Sequence, residues 1–191
     1  MSTLMNRQEQ WSRLESLNKP VDMIVIGGGA TGLGIALDAA TRGLSVVLVE
    51  RDDFASGTSS RSTKLVHGGV RYLRQGQISL VRDSLRERGR LLRNAPGLVH
   101  RLNFVIPCYK YWEKPFYGMG LATYDLLAGS FGWEHSRLLS RDETLRLLPG
   151  TRGQNLQGGV EYQDGQFNDT RLALALARTA IEAGAIILNH A

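Results

Sequence analysis

The sequence predicts an α/β fold that opens on a parallel strand–helix–strand unit, and three stretches carry that expectation. Val21–Ile26 (VDMIVI) is a short apolar run with β-branched residues, too short for a helix, so it reads as a buried parallel strand. A glycine-rich turn, GGGATG over residues 27–32, leads into a helical stretch at Thr31–Arg42, which Gly43 closes. Leu44–Val49 (LSVVLV) is a second buried strand and ends at Glu50. The whole unit takes about 30 residues, the size of one right-handed crossover.

The elements on either side follow the same rules. Leu4, Trp11, Leu14 and Leu17 have loosely helical spacing, so residues 1–20 read as an N-terminal arm or helix that Pro20 ends. Asp52–Arg61 is a loop of small and hydroxylated residues, and Ser62–Val66 is expected as a turn of helix running into His67-Gly68-Gly69. Ile78–Arg93 places Ile78, Val81, Leu85, Leu91 and Leu92 at helical spacing, with arginines assigned to the other face. Asn103–Tyr109 reads as a strand that Pro107 puts at an edge or bulge. Pro115–Gly129 is an apolar helix, and Ser140–Leu148 is a helix opened by the capping box Ser140/Glu143 and stopped at Pro149-Gly150. Gly159–Tyr162 is a short strand. Asp169–Ala183 is an Ala/Leu helix capped by Asn168 or Asp169, and Ile186–Asn189 begins a third parallel strand. Because nothing closes that last strand, residues 21–191 are expected to be one discontinuous domain, truncated at its C-terminus.

Composition removes several classes of function. The 191 residues are 42% hydrophobic and 21% charged, as in ordinary globular proteins, which excludes a disordered chain. The lone Cys108 cannot close an internal disulfide or supply a zinc cluster, so no metal is expected. No apolar run is long enough to cross a membrane, and the first 20 residues lack the apolar core of a secretory signal. The net charge of +5 is mostly arginine. Arg71, Arg74, Arg82, Arg86, Arg88, Arg90, Arg93 and Arg101 face only Asp83 and Glu87 in that stretch. Such a run reads first as a solvated helix face and second as a site for an anion: substrate phosphate, lipid headgroup or nucleic acid. The chain lacks helix–turn–helix, zinc-finger and RRM signatures, so no nucleic-acid partner is expected.

Two motifs carry chemistry. Gly27, Gly29 and Gly32 form G-x-G-x-x-G between a strand and a helix, the Rossmann-like arrangement in which helix-start amides face a dinucleotide pyrophosphate. Glu50 lies about 20 residues on, where a carboxylate accepts from a ribose 2′-hydroxyl and repels a 2′-phosphate. These features alone do not separate NAD from FAD. The second motif, TSSRSTKLVHGGVRYL over residues 58–73, puts hydroxyls directly after the ribose-binding acid. Lys64 and Arg71 offer charge there, and His67 and Tyr72 offer proton-transfer groups.

With these residues in view, the chain from Asp22 onward resembles the FAD-dependent glycerol-3-phosphate dehydrogenases, within the wider flavoprotein family of D-amino-acid and sarcosine oxidases. The matching stretches are IVIGGGATGLGIALDAATRGLSVVLVE, TSSRSTKLVHGGVRYL and GGVEYQDGQFNDTRLALALA. The resemblance implies a two-domain flavoprotein, of which this chain would be the FAD-binding βαβ unit and the start of the substrate-domain region. It implies oxidation of sn-glycerol 3-phosphate to dihydroxyacetone phosphate by hydride transfer to FAD, with electrons passed to quinone, on the cytoplasmic face of a membrane that the protein touches peripherally. A glycerol-3-phosphate oxidase using oxygen, or a non-catalytic nucleotide-binding fragment, are the alternatives. By the same resemblance Gly27, Gly29, Gly32 and Glu50 match the ADP-binding positions, and Gly28, Thr31 and Arg51 beside them are further cofactor-binding candidates. Thr58, Ser59, Ser60, Lys64, Leu65, His67 and Gly68 line the flavin, and Arg71, Tyr72 and His67 are the catalytic candidates. The truncated chain is expected to be inactive alone.

Overall fold

The structure, a computed structural model of the chain, describes residues 6–73, 75–132 and 135–191, with the side chain of Arg71 outside the description. The chain divides into two compact units, Met1–Lys64 with Asn168–Ala191, and Leu65–Phe167.

The first unit is built on a three-stranded parallel sheet in the order β1 (Met23–Ile26), β2 (Val46–Val49), β7 (Ile186–Leu188). Helices α2 (Ala30–Thr41) and α7 (Asp169–Glu182) share one core with it. Alanines from both helices meet in that core: Ala36, Ala39 and Ala40 from α2, and Ala173, Ala177 and Ala180 from α7. Side chains this small let two backbones approach closely at little entropic cost. Helix α1 (Arg7–Glu15) is capped by Asn6, which accepts from Gln8 N–H, and it is tied to β7 and its flanks. Buried Gln10 accepts from Ile187 N–H, while Arg13 donates to the carbonyls of Gly184 and Ala185 and Arg7 to those of Asn189 and His190. Leu4, part of the expected arm, lies outside the described residues.

The burial expected of the first strand holds on one face only. Val25 is buried, but Ile24 and Ile26 are 65% and 87% exposed. The reason is position: β1 pairs with β2 alone and is the sheet edge. Successive side chains leave opposite faces, so the residues flanking Val25 turn away from the helices.

The second unit centres on the ten-residue strand β6 (Gly158–Phe167), antiparallel to β4 (Val99–Cys108) over its full length. Its other edge takes β3 (Leu65–Val66) at Gly165–Gln166 and β5 (Arg137–Leu139) at Gly159–Glu161. Helices α3 (Val70–Leu73), α4 (Ile78–Asn94), α5 (Glu113–Ala128) and α6 (Arg141–Leu147) complete the unit. Its core joins Val81 and Leu85 of α4, Leu121, Tyr124 and Ala128 of α5, and Cys108 and Val160 of the sheet. The Ser140/Glu143 capping box forms at the start of α6, and Asn168 caps α7 through Arg171 N–H. Pro107 sits on the edge strand β4, where its missing N–H breaks no ladder.

Two expectations change here, and one strand appears that the sequence did not suggest. Residues 62–66 do not make a turn of helix: Lys64 takes φ +61°, which stops a helix, and Leu65–Val66 pair with β6 instead. Strand β6 runs well past Tyr162 through the turn-like residues Gln163–Gln166, because β4 and β3 satisfy their backbone groups from either side. Strand β5 is a third difference, since only three residues form it and no alternation marks them in the sequence.

Candidate cofactor and substrate site

In the first unit the glycine turn is shaped by a different constraint at each position. Gly27 takes φ +112°, a conformation L side chains rarely adopt, and its N–H donates to Val49 O at 2.8 Å. A Cβ on Gly28 would collide with Phe54 at 2.7 Å and Glu50 at 2.9 Å. Gly32 passes so close to the turn that a Cβ would lie 2.0 Å from Gly27 O. Gly29 is the N-cap of α2 and has no side chain to bond the amides of the first helical turn. A Cβ there would meet only Ser59 Oγ, at 3.2 Å. The front of the turn is therefore bare backbone at a positive helix end, with the exposed Thr31 beside it.

Two side chains hold this turn. Glu50, at the end of β2, accepts from Gly28 N–H at 2.6 Å through one oxygen and from Asp52 N–H at 2.7 Å through the other. Its carboxylate thus organises the loop as well as being available, through its remaining lone pairs, to a ribose. Ser59, in a single 3-10 turn over Thr58–Ser60, accepts from Ala30 N–H at 2.9 Å. Thr58 is exposed, and the Ser60 hydroxyl donates to Gly57 O. Arg51 is also exposed and pairs with Asp52.

The loop's far end is anchored by a residue whose sequence context suggests only a turn or cap. Asp169, at the first position of α7, accepts from Ser62 N–H (3.1 Å), the Ser62 hydroxyl (2.7 Å), Thr170 N–H (2.8 Å) and Lys64 Nζ. Burial on its own would raise the Asp169 pKa, but hydrogen bonds from Lys64 and Ser62 outweigh it and hold the carboxyl below the usual range. Lys64 also donates to Ser60 O at 2.6 Å, so its ammonium straps the loop to itself and to α7. The only sequence signal for this is an acidic residue directly after a good N-cap.

The remaining predicted residues, Leu65, His67, Gly68, Arg71 and Tyr72, belong to the second unit. Leu65 is half-buried in β3, and His67 is exposed between β3 and α3. Gly68 and Gly69 are buried, with Gly69 at φ +70°. Gly68 N–H donates to the Tyr124 hydroxyl at 2.8 Å and to Asp164 Oδ1 at 3.3 Å. The Tyr124 hydroxyl donates to Asp164 Oδ2 at 3.0 Å, and Arg88 Nη1 donates to Asp164 Oδ1 at 2.8 Å and to Gln163 O. Burial, with the neighbouring Asp164 charge, pushes the Tyr124 hydroxyl pKa far up, so it stays protonated and able to donate. Tyr72 is half-buried, packs on this unit's core, and donates its N–H to Gly69 O at 2.7 Å. The Arg71 backbone is in α3, and its side chain lies outside the described residues.

Asp164, beyond the expected end of the strand at Tyr162, is a buried strand residue, and Arg88 is not on a solvated face. Their side chains are 4% and 3% exposed. The arginine run divides further: Arg90 pairs with Glu87, and Arg93 stacks on Phe131, while Arg82 and Arg86 stay exposed. Arg74 lies outside the described residues.

The comparisons with known proteins fit this geometry. The model of the FAD dependent oxidoreductase family matches residues 22–191. The chain belongs to that family. Its helix start, where the N-cap glycine brings no side chain and a Cβ on Gly28 or Gly32 would clash, suits the pyrophosphate of FAD. Among curated relatives, a mitochondrial glycerol-3-phosphate dehydrogenase of Arabidopsis thaliana is 53% identical over 183 residues, covering 90% of this chain and 29% of that protein. The mitochondrial enzyme of Saccharomyces cerevisiae is 47% identical, over 97% of this chain and 29% of its own length. Among solved structures, a glycerol-3-phosphate dehydrogenase from Bacillus halodurans complexed with FAD superposes with TM-score 0.68 at 35% identity, covering 96% of this chain and 29% of that one. The chain thus spans less than a third of the length of these relatives. A glycerophosphate oxidase of Mycoplasma pneumoniae, 17% identical with TM-score 0.65, shares the fold.

Proposed function

We propose that the chain is the N-terminal, FAD-binding part of a dehydrogenase that oxidises sn-glycerol 3-phosphate to dihydroxyacetone phosphate. The observation that carries this reading is one chain holding both a bare glycine-capped helix start braced by Glu50 and Ser59, and a VHGGVRYL segment pinned by a buried network. Identity of 47–53% to glycerol-3-phosphate dehydrogenases supports the substrate. FAD supplies a two-electron acceptor for the hydride leaving C2.

The residues divide the work. Gly27, Gly28, Gly29, Thr31 and Gly32 bind the pyrophosphate through backbone, and Glu50 and Arg51 address the adenosine side. Thr58, Ser59, Ser60, Lys64, Leu65, His67 and Gly68 line the flavin. Arg71 pairs with the substrate phosphate, whose oxygens match the planar guanidinium fork. His67 and Tyr72 are the groups through which the C2 hydroxyl proton leaves as the carbonyl forms. The electrons pass on to quinone, and the protein works peripherally on the cytoplasmic face of a membrane. No helix among the described residues is long and apolar enough to cross one, and the exposed Arg82 and Arg86 of α4 suit anionic headgroups.

The test is an anaerobic absorbance spectrum of the complete gene product before and after glycerol 3-phosphate. Flavin bands that bleach support cofactor and substrate together. Flavin that persists rejects the substrate, and a folded protein with no flavin rejects the reading. Reoxidation by a quinone analogue but not by oxygen supports the acceptor. Binding to anionic vesicles that weakens with salt supports the membrane contact.

A further inference from the structure

The second unit carries a charge network that the proposed chemistry leaves unused. Asp164 from the middle of β6 and Tyr124 from α5 both accept from one backbone group, the Gly68 N–H, and Arg88 from α4 donates to Asp164 behind them. Burying an ion pair is an expensive way to fill a core: replacing such pairs by well-packed apolar residues is commonly neutral or stabilising. The geometry here has a more specific consequence than stability. A Cβ on Gly68 would lie 2.4 Å from the Tyr124 hydroxyl and 2.5 Å from Leu85, so the network and the core together leave this backbone one place to be.

The neighbours of Gly68 along the chain depend on that placement. The exposed His67 immediately precedes it. Gly69, at φ +70°, comes next, and its carbonyl accepts Tyr72 N–H as α3 begins. Moving the Gly68 amide therefore moves His67 on one side and the α3 turn bearing Arg71 and Tyr72 on the other.

We propose that Asp164 and Tyr124 are positioning residues that set the His67–Tyr72 segment at the substrate through the Gly68 N–H, with Arg88 neutralising Asp164. The inference rests on the proposed function, in which that segment meets glycerol 3-phosphate. Gly68 N–H shares its proton between the Tyr124 hydroxyl and Asp164, and the Tyr124 hydroxyl passes a second hydrogen bond to the same carboxylate. Bonds linked in this way stiffen one another in a dry interior. Reaction rates are steep in such placement, since about 1 Å of misalignment costs on the order of a hundredfold.

The experiment compares full-length holoenzyme with its Tyr124→Phe and Asp164→Asn variants. Tyr124→Phe keeps the ring in the core and the Arg88–Asp164 pair intact, so it folds even if Asp164→Asn does not. Two readouts are taken: amide exchange of the peptide covering residues 65–73, and kcat and KM per bound flavin. In Tyr124→Phe, exchange in that peptide should rise about tenfold with the rest of the chain unchanged, and kcat/KM should fall about tenfold at unchanged flavin content. Asp164→Asn, where it folds, should lose more. Unchanged kcat and KM per flavin in Tyr124→Phe, with or without faster exchange or a lower Tm, overturn the positioning role and leave the network purely structural. A wild-type flavin that glycerol 3-phosphate does not bleach overturns the substrate reading itself, and this inference with it. In that case the exchange data still report whether the network pins the turn.

Discussion

Two glycines of α2, two residues apart, should respond to alanine with opposite sign. A Cβ on Gly32 would sit 2.0 Å from Gly27 O, 3.2 Å from Gly27 C and 3.3 Å from Val25 Cγ1. Neither side is soft. The carbonyl belongs to a residue held at φ +112° whose N–H is bonded to Val49 O, and α2 is pinned by the fully buried Leu33 and Ala36. Relieving the clash means moving backbone by about 1 Å, which places Gly32→Ala at the upper end of overpacking costs, about 3 kcal/mol. Alanine's better helix propensity offsets about 0.5–1 kcal/mol of that. Gly34 has nothing within 4 Å of its Cβ position, so Gly34→Ala keeps only the propensity gain. The two variants should therefore differ by about 3 kcal/mol, roughly a hundredfold in the folded population. Urea denaturation of both, at equal m-value, reads the difference, and FAD content should fall only in Gly32→Ala. Equal midpoints would refute the close approach of α2 to the turn.

Glu50→Gln should weaken FAD binding by about tenfold or more, because one of the two backbone N–H groups the carboxylate holds would face an amide donor and lose a charge-assisted bond worth about 1.5–3 kcal/mol. Fluorescence titration with FAD checks this, and a larger loss in Arg51→Ala, which removes only an exposed side chain paired with Asp52, would contradict it. At the start of α6, the Ser140 N–H and hydroxyl and then Arg137 hold the Glu143 pKa at about 2, against an ordinary 4.5. A depressed pKa stabilises above the ordinary value, and that support is lost as pH falls from about 4.5 to about 2. Replacing Glu143 by Gln should therefore reduce the drop in urea midpoint between about pH 6 and about pH 3; an undiminished drop would count against the capping box. Cys108 is fully buried, and burial, with Glu113 nearby, pushes its thiol pKa up. It should react with thiol reagents only after denaturation; rapid labelling of the native protein would place it wrongly.

Local signals were legible wherever short-range chemistry decides the outcome. The strand–glycine turn–helix unit, the Ser140/Glu143 box and the Asn168 cap each depend on residues within a few positions of one another, and each forms. Strand lengths were not legible. The short strand expected over Gly159–Tyr162 extends through Phe167 because residues around 100 and at 65–66 lie beside it. The arginine run misled for a similar reason: helical spacing assigned Arg88 to the solvent face, but a carboxylate 76 residues away draws it inside.

By itself the sequence determined that a glycine turn links the first strand to α2, and which glycines make it, because tight turns and missing side chains are properties of adjacent residues. Only the tertiary structure decided what the acidic residues do. Glu50 braces the turn, Asp169 ties down the loop through Lys64 and Ser62, and Asp164, paired with Arg88, holds the amide of Gly68 alongside Tyr124. A carboxylate's role is set by which donors surround it and how much water is excluded, and here most of those donors lie tens of residues away along the chain.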